Sequence, residues 1–187
     1  TEYFYKAFSF DGANYSSGYT SDATTLPETN TFQLSVLISD SWNMVSTPGL
    51  HPVDQNVATW WSEKDPASGV FRYNGGYLPV TTTTPTQGYW MKHVGANTYN
   101  TGGEWPAGGI ILVPHNPITV IGGWNLIGVY DYNVSTVDIT SNPPGIIHSP
   151  FYGYSGGYYI ADTLKPGYGY WVSVGSGQII LPSPIFK

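Results

Sequence analysis

The chain has 187 residues, of which 41% are hydrophobic and only 10% are charged, and its net charge is −6. This length can bury a core, either as one domain or as two small domains packed together. The negative charge and the six scattered basic residues disfavour nucleic acid and anionic membrane surfaces as partners. No apolar run approaches the roughly 20 residues that span a bilayer, so we expect no membrane insertion.

The composition favours β-structure. The chain holds 23 Gly, 15 Pro and 16 Tyr, whereas the residues that fill exposed helices are scarce. The absence of cysteine excludes disulfides, thiolate catalysis and cysteine-ligated metals. Low charge with abundant Thr, Ser, Asn, Gly and Tyr is typical of an extracellular or cell-surface protein. The chain begins at Thr1 without Met, as a processed mature protein or an excerpt does.

Residues 3–10 alternate with the period of a strand, and both faces of that strand are apolar. Residues 11–31 are rich in turn formers and predict a connector. The strand therefore needs cover, and two alternatives stay open: it pairs with another copy of the chain and builds filaments, or it folds back onto its own sheet. The candidate inter-subunit residues are Tyr3, Phe4, Tyr5, Phe8 and Phe10.

Two parts of the chain carry the same landmarks in the same order. The segments that begin at Trp42-Asn43 and Trp124-Asn125 are each followed by a Gly-Tyr-Trp motif, which ends at Trp90 after 48 positions in the first and at Trp171 after 47 in the second. A Gly-Gly turn flanked by tyrosines lies inside each segment. These matches predict an internal duplication with an offset of 81 to 82 residues.

We therefore predict an all-β fold made of two tandem copies of a small antiparallel β-module, sandwich or barrel-like, after an N-terminal strand arm. The predicted boundaries are 1–39 for the arm and connector, 40–117 for the first repeat and 118–187 for the second. The first repeat carries about twelve extra residues near 93–109.

Three local patterns refine this outline. Alternation from Phe32 to Ile38 predicts a strand that leads into the first repeat. The segment 51–64 can hold a short helix with Asp54 as its N-cap. Asn74-Gly75 between two apolar runs predicts a two-residue type I′ hairpin turn.

Several second-repeat segments resemble a known family, the tandem Trp-Asn-Leu-Ile and Gly-Tyr-Trp repeat domains of secreted and cell-surface bacterial proteins. The segments that carry the resemblance are Gly123-Trp124-Asn125-Leu126-Ile127-Gly128, Thr140-Ser141-Asn142-Pro143-Pro144-Gly145-Ile146, Phe151-Tyr152-Gly153-Tyr154 and Pro166-Gly167-Tyr168-Gly169-Tyr170-Trp171-Val172. The resemblance covers roughly residues 40–182. It implies a bacterial surface protein and brings no catalytic residue with it.

Catalytic and metal-site patterns are weak. Gly153-Tyr154-Ser155-Gly156-Gly157 matches a nucleophile elbow, but the duplication places Asn74 at the position of Ser155, which favours a hairpin turn. The four histidines, His51, His93, His115 and His148, lack close ligand spacing. The acidic pairs Glu63 with Asp65 and Asp131 with Asp138 have no pattern that marks a glycosidase. We expect no catalytic residue, metal or cofactor.

The duplicated tryptophans Trp42, Trp90, Trp124 and Trp171 lie in apolar runs, so the sequence predicts core or inter-repeat packing for them rather than sugar platforms. Aromatic residues outside the duplicated positions are the candidate ligand or partner contacts: Trp60, Trp61, Tyr99, Trp105 and Tyr152.

The leading hypothesis is a non-catalytic extracellular structural or adhesive β-protein that associates with other copies of itself as a surface or filament subunit. The alternative is a carbohydrate-binding module of a secreted polysaccharide-degrading enzyme, with a polysaccharide as its partner.

Overall fold

Strands make up most of the secondary structure in this computed structural model, which describes residues 2–7, 11–14, 19–24, 30–100 and 108–182. The all-β prediction is confirmed. The chain divides into two units, residues 1–30 and residues 31–187. A search of the described residues for a helix long and apolar enough to cross a membrane finds none.

The smaller unit contains a two-stranded antiparallel sheet. Strand β1 (Glu2–Ala7) pairs with β2 (Tyr19–Thr24), so that Tyr3 lies opposite Ala23 and Tyr5 opposite Ser21. The predicted strand is therefore present over Glu2–Ala7 and has a partner within its own unit, while its pairing with another copy of the chain stays a prediction. The partner strand lies in the segment predicted to be a connector. Phe8 and Phe10 lie outside the described residues.

The larger unit holds seventeen strands and two short helical segments among the described residues. The strands of its first half are β3 Thr31–Phe32, β4 Ser35–Ile38, β5 Ser41–Ser46, β6 Val70–Tyr73, β7 Tyr77–Val80, β8 Gly88–His93, β9 Asn97–Asn100 and β10 Ile110–Ile111. Those of its second half are β11 Ile118–Val120, β12 Gly123–Ile127, β13 Val134–Ser135, β14 Thr140–Asn142, β15 Tyr152–Tyr154, β16 Tyr158–Ile160, β17 Thr163–Leu164, β18 Tyr170–Val174 and β19 Gly177–Ile180.

Each repeat forms a four-stranded antiparallel sheet with the same strand order. The first sheet runs β5-β8-β6-β7 and the second β12-β18-β15-β16. In both, the strand that carries the first tryptophan pairs with the strand that carries Gly-Tyr-Trp, so Met44 lies opposite Trp90 and Leu126 opposite Trp171. Equal order and equal register show that the sequence duplication is a duplication of structure.

The duplicated unit begins earlier than the sequence indicated. Val36 on β4 faces Tyr99 on β9, and Ile118 on β11 faces Ile179 on β19, so the strand before each tryptophan strand is also repeated. Residues 31–38 therefore belong to the first repeat and not to the N-terminal arm. Val36 and Ile38 are buried in its core.

The hairpin between β6 and β7 differs from the predicted turn. Its loop has three residues, because Tyr73 pairs directly with Tyr77, and only Gly75 among them has a positive φ, 68°. The second repeat matches it, with Gly156 at 69°. A three-residue loop with one left-handed glycine is the next common hairpin connection after the two-residue types. The type I′ prediction was therefore wrong.

The predicted short helix is present as α1, Val57–Trp60, but its cap is not Asp54. The N-cap residue is Asn56, whose side chain makes no capping hydrogen bond, and Asp54 instead accepts a hydrogen bond from the Asn56 backbone N–H at 2.8 Å. The second repeat has a 3₁₀ turn, Thr136–Asp138, at the corresponding place.

The asparagine of each Trp-Asn motif ties down the turn that precedes it. Asn43 Nδ2 donates to the carbonyls of Ser39 and Ser41, and its Oδ1 accepts from the Ser39 N–H. Asn125 makes the same three bonds with Ile121 and Gly123. The amide group supplies both donors and an acceptor, so this position holds the chain direction just before the tryptophan.

Each repeat has its own buried core, and a third cluster joins the two. That third cluster has Met44, Trp90, Leu126 and Trp171 at its centre. Glycines permit the close approach, since a Cβ on Gly88 would lie 2.7 Å from Leu126 Cγ. The predicted packing through the tryptophan-bearing strands is what the structure contains.

The contacts between the repeats are reciprocal. The Ser46 N–H donates to the Gly167 carbonyl at 3.0 Å, and the equivalent Gly128 N–H donates to the equivalent Thr86 carbonyl at 2.6 Å. Isolated bridges join Val45 to Tyr168 and Gln87 to Ile127 in the same crossed manner. When each of two units makes to the other the same contact that it receives, the two units are related by a two-fold axis. The repeats therefore face each other about a pseudo-two-fold axis.

Candidate aromatic binding site

The first tryptophan of each repeat is on the surface. Trp42 is 37% exposed and Trp124 is 47% exposed, whereas Trp90 is 9% and Trp171 is 7% exposed. The prediction of core packing is thus correct for the second pair and wrong for the first. Residues two apart on a strand share one face of the sheet, so Trp42 lies on the same face as Met44 and Trp124 on the same face as Leu126. The partner repeat covers Met44 and Leu126 but leaves the tryptophans partly uncovered.

Two open clefts flank these exposed tryptophans. The cleft named here the Trp124 cleft has a volume of about 420 Å³ and is lined by Tyr73, Tyr77, Trp124, Tyr152, Tyr158 and Trp171. The Trp42 cleft has a volume of about 450 Å³ and is lined by Trp42, Phe71, Tyr77, Trp90, Tyr154 and Tyr158. Both volumes lie in the range of roughly 300 to 1,000 Å³ that small-molecule sites occupy.

The two linings are equivalent positions exchanged between the repeats. In the Trp124 cleft, Trp124 stands edge-on to Trp171 with ring centroids 6.3 Å apart, and Tyr73 of the other repeat meets Trp171 at 4.8 Å. In the Trp42 cleft, the Trp42 to Trp90 distance is also 6.3 Å, and Tyr154 meets Trp90 at 4.9 Å. Each cleft therefore needs both repeats.

Tyr77 and Tyr158 line both clefts and so form a wall between them. Each sits just after a hairpin turn, 56% and 60% exposed, and packs edge-on against the tyrosine at the other end of that turn. Burial of part of the ring raises the pKa of the Tyr77 phenol, and the neighbouring Tyr158 phenol adds to the rise. The Tyr77 phenol therefore stays neutral at physiological pH and can donate a hydrogen bond.

The clefts contain hydroxyl groups but no charge. Among the described lining residues there is no Asp, Glu, Lys, Arg or His. Within the described part of the chain, the hydroxyls of Tyr73, Tyr152, Tyr154 and Tyr158 make no hydrogen bond to protein. They are open to a ligand. The arrangement offers aromatic faces for apolar contact and phenol hydroxyls in the same lining.

One further donor lies in the Trp42 cleft. The indole Nε1 of Trp90 is buried and has no hydrogen-bond partner among the described residues. Its N–H is near enough to Tyr77 to oppose the rise in the pKa of that phenol, although the approach is outside hydrogen-bond geometry. A buried donor without a partner carries a free-energy cost of about 1–3 kcal/mol.

Three of the candidate contact residues are buried, so the contact role predicted for them is wrong. Trp60 and Trp61 are 0% and 1% exposed and form the centre of the first core. Tyr99 is buried, with its hydroxyl 2.9 Å from His93 Nε2 and accepting from the Glu63 N–H. Side chains enclosed in this way cannot contact a ligand. Tyr99 occupies the core position that Ile179 holds in the second repeat.

The two other candidates have different outcomes. Trp105 lies outside the described residues. Tyr152 lines the Trp124 cleft, with its ring 6.0 Å from that of Trp124, and its contact role stays a prediction. It corresponds to Phe71 of the first repeat, so it is in fact a duplicated aromatic position. The sequence signal for this site is that aromatic residues of neighbouring strands share one face of the sheet. The length of an apolar run, from which burial was predicted, does not show that face.

The serine, acidic and histidine residues considered for catalysis or metal binding make local structural contacts. Ser155 is in the β15–β16 turn, where its N–H donates to the Gly157 carbonyl, as Asn74 does to Gly76. Asp65 accepts from Lys92 Nζ at 3.0 Å, and that hydrogen bond lowers the pKa of Asp65. Asp131 lies 2.5 Å from His115 Nε2. Groups of three or more metal-ligating side chains do not occur in the described ranges.

Comparison of the chain with protein-family models, with curated proteins and with solved structures found no significant match. The clefts are therefore interpreted from their own geometry.

Proposed function

We propose that this chain is a non-catalytic extracellular surface protein that binds uncharged carbohydrate in its two aromatic clefts. The carrying observation is that two equivalent clefts keep a large tryptophan face uncovered beside phenols without protein partners. Exposed apolar surface of this extent is costly unless a ligand covers it. The family resemblance noted in the sequence is consistent with a bacterial surface location, which remains part of the proposal.

The chemistry of the clefts selects the ligand class. The C–H face of a sugar ring can lie on the electron-rich face of an aromatic ring, while its hydroxyls exchange hydrogen bonds with phenols at the edge. A charged ligand would enter an apolar site without a counter-charge, which carries a large desolvation cost. Neutral glycans therefore fit these clefts better than acidic ones.

A pull-down on insoluble cellulose, chitin, xylan and mannan tests the proposal. We expect the wild-type protein to be retained by at least one of them and the double variant Trp42→Ala, Trp124→Ala to be released. Tyr159→Ala is the matched control, because Tyr159 is also 47% exposed but lines neither cleft. Retention should persist in 1 M salt, since salt screens charge interactions and not stacking. Equal retention of wild type and double variant would contradict the proposal.

Self-association is a second candidate, and a separate observation favours it. Strands β7 and β16 each form one edge of a four-stranded sheet, and their exposed side chains include Leu78, Tyr158 and Ile160. An apolar edge strand is a template for pairing with another chain. This surface suits the structural or adhesive role proposed from the sequence.

Light scattering after size-exclusion chromatography, with electron microscopy of the same fractions, tests this candidate. We expect oligomers or fibres from the wild type and monomers from Ile160→Lys, because an edge lysine opposes strand pairing. Glycan retention should be unaffected by this variant, since Ile160 lines neither aromatic cleft. A wild-type protein that is monomeric at high concentration would exclude the candidate.

A further inference from the structure

The pseudo-two-fold relation between the repeats applies to the clefts as well. Each lining residue of the Trp124 cleft has its equivalent in the Trp42 cleft. The exposed tryptophan lies 6.3 Å from the buried one in both clefts. The tyrosine of the other repeat lies 4.8 Å from the buried tryptophan in one cleft and 4.9 Å in the other. A two-fold axis between the clefts carries one cleft onto the other. A line drawn through both clefts has its direction reversed by that rotation. The two sites therefore face a passing chain in opposite senses.

A glycan chain has a direction, because its reducing end differs from its non-reducing end. One chain laid across both clefts would meet the first in one direction and the second in the other, so it could not make equivalent contacts with both. Tyr77 and Tyr158 also stand between the clefts, and a single chain would have to cross that wall. These two facts favour separate occupants.

We propose that each cleft binds its own uncharged glycan chain, so that one protein molecule holds two chains together. This inference rests on the proposed carbohydrate-binding function and adds to it a stoichiometry and a cross-linking role. Such a role requires two sites on one packed unit, and the two clefts lie on one packed pair of repeats. The buried cluster of Met44, Trp90, Leu126 and Trp171 joins those repeats directly.

The two clefts are similar but not identical. Phe71 of the Trp42 cleft occupies the position of Tyr152 in the Trp124 cleft, so one cleft has a phenol where the other has a bare ring. We therefore expect two binding sites of different affinity, and we expect Tyr152→Phe to weaken only the site that contains Trp124.

Isothermal titration with cellohexaose, chitohexaose, xylohexaose and mannohexaose tests the stoichiometry. For a hexasaccharide that binds, we expect two molecules per wild-type chain, one per chain for Trp42→Ala and for Trp124→Ala, and none for the double variant. The affinity of the remaining cleft should change less than about two-fold in each single variant, because Trp42 lines only one cleft and Trp124 only the other. Light scattering in parallel gives the number of chains per particle.

Retention on the matching insoluble polysaccharide gives an independent readout. Two linked sites raise apparent affinity by about 10² to 10⁴-fold over one site when both engage, so each single variant should bind the insoluble polymer at least 10-fold more weakly than the wild type. The wild type should also raise the viscosity of a soluble form of the polymer, and the single variants should not.

Three results would overturn the inference in distinguishable ways. A wild-type stoichiometry of one, with binding abolished in either single variant, would mean that one chain spans both clefts; carbohydrate binding would stand and cross-linking would fall. Absence of binding to every hexasaccharide and every insoluble polysaccharide would overturn the proposed function together with the inference. Two bound hexasaccharides without any loss in the single variants would place the sites outside the clefts.

Discussion

Replacing the two tryptophans of one cleft separately should give very different losses of stability. Trp171 is 7% exposed and lies between the repeats, where it contacts Tyr73 at 4.8 Å. Truncation of a buried tryptophan to alanine costs about 3–5 kcal/mol, because transfer free energy is lost and a cavity remains. We expect Trp171→Ala to fall in that range.

Trp124→Ala should cost much less. With 47% of its surface already in water, about half of the transfer free energy is at stake, and the open cleft leaves no enclosed cavity. The expected loss is about 1–2 kcal/mol, since hydrophobic stabilisation scales with the area removed from water. The first repeat provides a matched pair, Trp42→Ala and Trp90→Ala, for which the same order is expected.

Equilibrium urea unfolding followed by far-ultraviolet circular dichroism measures both losses without relying on tryptophan fluorescence. The dependence of unfolding free energy on urea should be the same in all variants, so that shifts in midpoint report stability alone. If Trp124→Ala and Trp171→Ala cost the same within about 0.5 kcal/mol, Trp124 is a packing residue. The argument that the clefts are built for a ligand would then be refuted.

Three further predictions concern a close contact between the repeats, a turn within the second repeat and a buried phenol in the first. Gly88→Ala should destabilise by about 1–3 kcal/mol in urea unfolding, because its Cβ would meet Leu126 at 2.7 Å, whereas Gly76→Ala, with open space around it, should change stability by less than about 1 kcal/mol. Asn125→Ala should cost about 1–3 kcal/mol in the same assay through the loss of three turn hydrogen bonds. Burial raises the pKa of Tyr99 to about 12, while an unfolded tyrosine ionises near pH 10, so the stabilisation from its neutral form is complete below pH 10 and is lost as the pH rises to 12. Melting temperatures should therefore fall less between pH 10 and 12 in Tyr99→Phe than in the wild type.

Local patterns predicted the strands well because side-chain alternation and turn chemistry act over a few residues. The strands around Trp42, Trp90, Trp124 and Trp171 lie where the apolar runs are, and the offset between repeats is the structural offset. The pairing of β1 with β2 was missed because Tyr19–Thr24 has few apolar residues. A strand of that composition has no periodic signal, and only its backbone partner identifies it.

Burial of single aromatic residues was not predictable from the same patterns. Trp60 and Trp61 lie in a polar segment with no duplicated aromatic partner, which suggested that they contact a ligand, yet both are buried in the first core at the end of the short helix α1. Tyr99 lies within the extra residues of the first repeat but takes the core position of Ile179. Which face of an element is covered depends on its neighbours in space, and a single sequence does not contain that arrangement.

The largest error concerned the meaning of duplication. In the sequence, duplicated tryptophans indicated shared structure, and aromatic residues present once indicated a binding function. When a fold is duplicated, however, any site formed by that fold is duplicated with it, so repetition cannot separate packing from binding. The separating observation is exposure: at equal spacing in both repeats, Trp90 and Trp171 are covered by the partner repeat, whereas Trp42 and Trp124 are not. The uncovered residues are tryptophans on the equivalent strand of both repeats, and each makes the same edge-on contact to a buried tryptophan. Packing therefore accounts for Trp90 and Trp171. A ligand explains the exposed Trp42 and Trp124 better.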